Sequence, residues 1–295
     1  MKVAAAYLTV ILIWSTTPLA IKWSGEGPGF LLGVTARMTL GAALVVCFLA
    51  LSGRRIPWHG RAWAGYVAVA VHIYGAMLAA YWAAQWIPSG WMSVVFGLTP
   101  VLTALLSRLW LRGHASTLRQ WLAYGTGLAG LAVLFGSALD YSPQALAGIA
   151  GVLVSAFLQA LSSVWVKRVD PRLPPLTLLG GGLTVSVAAY LPTWFWLDGV
   201  WPPPQMPAAA LASILYLGLV ATTLGFALYY YVLSHLTATR VSLITLITPV
   251  SALLLGHWVN GEPLTPRILA GTGCILLAVL THESVPAPRR LRRPD

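Results

Sequence analysis

Few residues in this sequence can grip or carry a charged group, and they are set inside long apolar runs. Arg37 lies about seven residues into the run that begins near position 30. At roughly 1.5 Å per residue, that is about 10 Å below the start of a helix. A guanidinium there is costly unless it lines water, holds an anion or ties down carbonyls or Glu26, so it marks a candidate binding site. His72 lies nine residues into its own run, about 14 Å deep on the same arithmetic. An imidazole at that depth binds a ligand, carries a proton or is a hydrogen-bonded core residue. Trp14, Ser15, Thr16 and Thr17 precede Pro18, whose ring removes a backbone donor and frees a carbonyl. Hydroxyls beside such a break close it or coordinate a solute. Gln159, Ser162 and Ser163 form the comparable polar group in the second half. Tyr81 and Trp82 map, 149 positions on, to Tyr230 and Tyr231; such pairs read as gates or as interfacial aromatic belts. Pro100, Thr245 and Pro249 complete the set of candidate substrate contacts.

Other chemistries find no support. The histidines at 59, 72, 114, 235, 257 and 282 are scattered, with no HExxH pattern, so neither a catalytic nor a metal site is expected. Cys47 and Cys274 both lie in apolar runs and read as small core residues. Gly125, Gly127 and Gly130 spell GxGxxG, but no strand precedes them, so close helix packing is expected and no dinucleotide cofactor.

The elements that position these residues follow from composition. Hydrophobic residues make up 58% of 295 and charged residues 8%, too few to cover a water-facing surface, where about a quarter is usual. The expected solvent is lipid. A bilayer span takes roughly 20 apolar residues as a helix. Ten runs qualify: about 3–22, 30–51, 63–86, 88–110, 118–138, 144–166, 174–196, 208–233, 236–258 and 264–281. They are continuous rather than alternating, which excludes barrel strands. The first run lacks a small-residue cleavage site and reads as a retained helix. No Asp or Glu falls inside any run; Glu26, Asp140, Asp198 and Glu262 lie in one set of loops, and Asp170, Glu283 and Asp295 in the other.

The chain also repeats itself. "GTGLAGLAVL" from Gly125 returns as "GTGCILLAVL" from Gly271, and "LTPVLTALLS" around Pro100 returns as "ITPVSALLLG" around Pro249. "STTPLAIKW" is more loosely echoed by "LSSVWVKR". Two halves of five spans follow. Because five is odd, the second half must enter the membrane from the opposite side to the first, an arrangement typical of secondary transporters. The expected units are 1–139, an inverted copy over 140–282, and a basic tail over 283–295.

Orientation follows from loop charge. With the N-terminus inside, fifteen of the eighteen Lys and Arg residues fall on the inner side, while Lys22 and Arg267 fall outside. Both termini are expected to be cytoplasmic. The net charge of +11 is spread over short loops with no groove of interleaved aromatics, so nucleic acid is not an expected partner. The partners are a small solute and the lipid bilayer, and the sequence leaves room for a homodimer.

"IWSTTPLAIK" (Trp14, Ser15, Thr16, Lys22), Arg37 in "LLGVTARMTLG", Pro100 and Pro249, and "NGE" ending at Glu262 occur in an order and spacing that resembles the drug/metabolite transporter superfamily, specifically its EamA-like ten-helix permeases. The resemblance covers nearly the whole chain. It implies an all-α integral membrane protein, ten transmembrane helices as two inverted five-helix repeats, in the plasma (inner) membrane. It also implies movement of small metabolites, often amino acids or related compounds, usually outward. One departure stands out: Gly113 or His114 occupies the place to which Glu262 maps in the first half. The expected lining comes from spans 1, 3, 4, 6, 8 and 9. An intramembrane enzyme and a non-transporting receptor or assembly subunit are the competing readings.

Overall fold

In lipid every backbone N–H and C=O must find its partner within the protein, so apolar runs of this length fold as helices. The computed structural model describes residues 3–111, 118–200 and 206–283. The "RGHAST" loop with Gly113 and His114, and the basic tail, lie outside the described residues. Helices α1 (Val3–Ser24), α2 (Phe30–Leu51), α3 (Gly60–Ala84), α4 (Ser89–Trp110), α6 (Ala145–Val169), α7 (Pro175–Leu197) and α8 (Ala208–His235) are each long and apolar enough to cross a membrane. Between and after them come α5 (Leu118–Tyr141), the short α9 (Ala238–Ser242), α10 (Ile244–Asn260) and α11 (Pro266–Glu283). These last fall short of spanning length as continuous apolar helices: the apolar stretch of α5 is Trp121–Leu134, that of α11 is Pro266–Ala278, and α10 has 17 residues. Among the described residues there are no strands.

Turn chemistry sets the helix ends. Pro174 and Pro207 stand immediately before α7 and α8, where a missing N–H costs nothing. Thr237 caps α9 through its hydroxyl, which accepts from the Arg240 N–H. Gly261 ends α10 in the left-handed region at φ +62°, a conformation that a side chain resists. That reversal turns Glu262 back toward the start of α4.

The helices form one bundle. α1 packs on α8 and α10, α2 on α7 and α8, α3 on α6 and α7, and α4 on α6 and α10, while α5 pairs with α11. Small residues bring backbones close. A methyl group on Gly130 would meet the Gly271 carbonyl and Cys274, and one on Gly127 would meet Leu98 and Ala278. These two members of the GxGxxG run therefore serve helix packing. Gly180, Gly181 and Gly182 in α7 accommodate Leu49, Tyr66 and Val69. Trp58 and Trp63 project at the N-terminal end of the bundle, and Trp196 and Trp258 at the far end, as expected of belts at the two interfaces.

Two helices contain widened π-type turns, Val71–Ala76 in α3 and Leu217–Gly225 in α8. Such turns leave carbonyls without their usual donors, and neighbouring side chains must supply replacements. The Tyr190 hydroxyl donates to the carbonyls of Ile73 and Tyr74 at 2.8 and 3.0 Å, and Ser155 donates to that of Ala76 at 2.6 Å. In α8, the Thr223 hydroxyl donates to the Gly218 carbonyl five residues back, at 2.8 Å.

Candidate functional site

One widened turn supplies a wall of the central cavity, and the other supports the arginine that lines it. His72, in the α3 turn, lines it. Its Nδ1 is buried and makes no hydrogen bond. Thr222, in the α8 turn, accepts a hydrogen bond from Arg37 Nε at 2.7 Å. It packs against α2 where Gly41 presents no side chain. Arg37 Nη1 reaches the Tyr81 hydroxyl at 3.5 Å, and Nη2 makes no hydrogen bond to a described residue. The guanidinium is buried, lines the cavity and has no carboxylate within 4.0 Å among the described residues. The guanidinium also lies 5.9 Å from the centres of the Tyr81 and Phe226 rings, and a cavity-lining cation with no resident carboxylate is arranged to receive an anion.

The remaining wall is aromatic and apolar. Trp14 stacks on Tyr229 at 5.1 Å between ring centres and meets His72 edge-on at 6.3 Å; Phe226 meets His72 edge-on at 5.2 Å. Met77, Met92 and Phe96 add apolar surface, and Gln159, Thr17, Ser93, Thr245 and Thr248 add polar points. The lining thus comes from α1, α2, α3, α4, α6, α8 and α10. The cavity volume is about 60 Å³, small beside the roughly 300–1,000 Å³ of ligand pockets.

The sequence candidates divide by where their side chains go. Trp14, Arg37, His72, Gln159 and Thr245 line the cavity. Tyr81 stands behind Arg37 and also accepts from Ser24 at 3.4 Å. Ser15 and Ser163 donate to carbonyls of their own helices, although Ser163 lies in hydrogen-bonding reach of the Tyr229 hydroxyl. Thr16 does the same and joins Tyr216 of α8 at 2.6 Å. Tyr230 is buried beside Tyr229, with its hydroxyl near Ser162. Pro100 opens the second half of α4, and Pro249 lies near Gly97; both are buried and neither lines the cavity. Trp82 is half-exposed, against Gly151 and Trp86. Sequence reasoning missed Thr222, Phe226 and Tyr229, which look like ordinary members of an apolar helix.

Glu262 is buried at the far end of the bundle. It accepts from the Ser89 and Gly90 N–H groups at 2.9 and 3.1 Å, from the Ser89 hydroxyl at 2.9 Å, and from Asn260 Nδ2 at 3.1 Å. A carboxylate at the positive end of α4 is favourable by dipole and by hydrogen bonding together. Trp23 donates to Asn260 at 3.1 Å, and Lys22 to the Ile87 carbonyl at 3.2 Å. These contacts tie α1, α4 and α10 shut at that end. Among the described residues no group of His, Cys, Asp and Glu is placed to hold a metal ion.

Apolar helices of spanning length around a buried, mainly apolar cavity with a few polar points define a multi-pass membrane protein of transporter type. The profile of the EamA-like transporter family matches residues 1–136 and again 146–281, and the chain belongs to that family. An uncharacterized transporter of Archaeoglobus fulgidus is 29% identical over 273 residues, covering 91% of this chain and 94% of its own length. The uncharacterized inner membrane transporter YedA of Escherichia coli is 24% identical over 93% of this chain and 88% of its own. A protein of Salmonella typhimurium called a probable amino-acid metabolite efflux pump is 26% identical over 54% of this chain and 55% of its own. One solved crystal structure superposes with a TM-score of 0.69 over 95% of this chain and 96% of that one, at 20% identity, which shows likeness of fold. These named relatives are transporters, not enzymes.

Proposed function

We propose that the chain is a ten-span permease of the inner membrane with both termini cytoplasmic, built as two inverted five-span repeats. It moves a small zwitterionic or amphipathic metabolite of amino-acid type outward by alternating access. On this reading α9 and α10 together form the ninth span. Internal correspondence supports the two repeats. The family profile matches twice, and the widened turns fall at equivalent places in α3 and α8. The packing is reciprocal: α1 meets α8 as α6 meets α3, and α2 meets α8 as α7 meets α3. Near-equivalent halves can exchange conformations at little energetic cost, which is what alternating access requires.

Arg37 carries the substrate reading. Its buried guanidinium lines the cavity, with Nη2 making no hydrogen bond and no carboxylate within 4.0 Å among the described residues. The solute's carboxylate occupies that place, and its remaining groups meet Trp14, Phe226 and the methionine wall, where an ammonium or an apolar side chain is equally well received. Outward movement is supported by the efflux function in the name of the Salmonella relative. The test is flux from liposomes reconstituted with the full chain and preloaded with labelled amino acids and their decarboxylated analogues. Flux of the acids, absent for the amines and abolished by Arg37→Met, is expected. Equal flux of acids and amines would overturn the assignment.

A further inference from the structure

Beyond the cavity, toward the far end, lies a second hollow of about 180 Å³ between α1, α2 and α3. Ile21 lines both spaces. Tyr81 lines the second, while its hydroxyl accepts from Arg37 in the first. The two hollows therefore share the Ile21 side chain, and Tyr81 links the second to Arg37. Two opposite charges also line the second hollow, Lys22 and Glu26. Lys22 is half-buried, and its ammonium donates to one backbone carbonyl, that of Ile87. Glu26 is exposed, and its carboxylate makes no hydrogen bond or ion pair with a described residue. The two stand four positions apart in sequence but are not paired with each other. Phe30 and Gln85 complete the wall with an apolar and an amide surface. Separated, uncompensated charges across a small hollow match the two ends of a zwitterion.

We propose that this vestibule is a second solute site, which takes an amino-acid-type zwitterion with its carboxylate on Lys22 and its ammonium on Glu26. The proposal rests on the reading of Arg37 as the carboxylate site of the inner cavity. Tyr81 is then the partition across which the carboxylate passes between the guanidinium and the ammonium. Because Glu26 faces water and Lys22 is partly exposed, this site is weaker than the cavity and empties as salt is added.

The test is equilibrium dialysis of the full chain in detergent against labelled neutral amino acids, at low and high salt. For a probe that binds, two molecules per chain are expected at low salt and one at high salt. Lys22→Met or Glu26→Gln should raise the weaker dissociation constant at least tenfold and leave the tighter one unchanged. Arg37→Met should remove the tighter site and keep the weaker. Glu26 is exposed, so Glu26→Gln keeps the test open should Lys22→Met fail to fold. A single site, lost with Arg37→Met and untouched by the other two changes, overturns the vestibule alone. No binding to the wild-type chain overturns the vestibule and the Arg37 reading together.

Discussion

Arg37 Nε and Thr222 Oγ1 stand 2.7 Å apart, joining α2 to the widened turn of α8 across 185 positions of sequence. A hydrogen bond to a charged group contributes about 1.5–3 kcal/mol. Thr222→Val should therefore free the guanidinium to turn from the cavity and weaken solute affinity roughly ten- to a hundredfold. Thr222→Ser should restore most of it. Arg37→Lys should not replace the arginine, because an ammonium lacks the planar fork that serves Thr222 and a solute at once. KM values from reconstituted flux decide it; wild-type KM in Thr222→Val would remove Thr222 from the site.

Glu262 is expected to matter for stability more than for binding. Glu262→Ala leaves the Ser89 and Gly90 donors at the start of α4 unmet, at a cost of roughly 2–4 kcal/mol. Melting in detergent should fall by about 5–10 °C. Gly256→Ala should act in the same direction, since its methyl group would collide with the Glu262 carboxylate. An unchanged melting temperature in both would show that the cap contributes nothing.

Tyr190→Phe removes the one hydroxyl that donates to both Ile73 and Tyr74. Each unmet carbonyl in a water-free interior costs about 1–3 kcal/mol. The turn carrying His72 should loosen, seen as faster amide exchange over 71–76, with a lower melting temperature. Protection equal to wild type would mean that the turn holds itself.

Trp14→Ala deletes the stack on Tyr229 and one wall of the cavity. Aromatic contacts contribute about 0.5–1.5 kcal/mol beyond the area they bury. Competition assays should show bulky solutes losing affinity by several-fold to tenfold more than alanine-sized ones. Equal losses would indicate a general packing defect.

Much of this arrangement was legible before any coordinates. Arg37 and His72 announced themselves because lipid makes an ionisable side chain expensive. The family was legible in motif order, and the profile match bears that out. Individual wall residues were harder. Hydroxyls next to Pro18 looked alike, yet Thr17 lines the cavity while Ser15 and Thr16 bond to backbone carbonyls. Trp82 follows Tyr81, but successive helical residues point about 100° apart, so one faces Arg37 and the other turns outward. Spacing along α8 was unreadable because its widened turn shifts the register that periodicity assumes. Nothing local in "LGLVATTLG" declares that shift; the hydroxyl of Thr223 and the packing on α2 settle it.

That widened turn makes the cavity wall sensitive to chain length as well as to composition. A π-type turn is an α-helix holding a surplus residue. Because the turn absorbs that surplus locally, a residue lost between Leu217 and Gly225 would leave the segment from Phe226 to His235 in register, whereas one gained there would swing it about a quarter-turn. Leu228 would rotate toward the place of Tyr229, and Trp14 would lose its stacking partner without a single substitution. A chain of this design can recast its preference by gaining one codon, a route that site-by-site mutagenesis never samples.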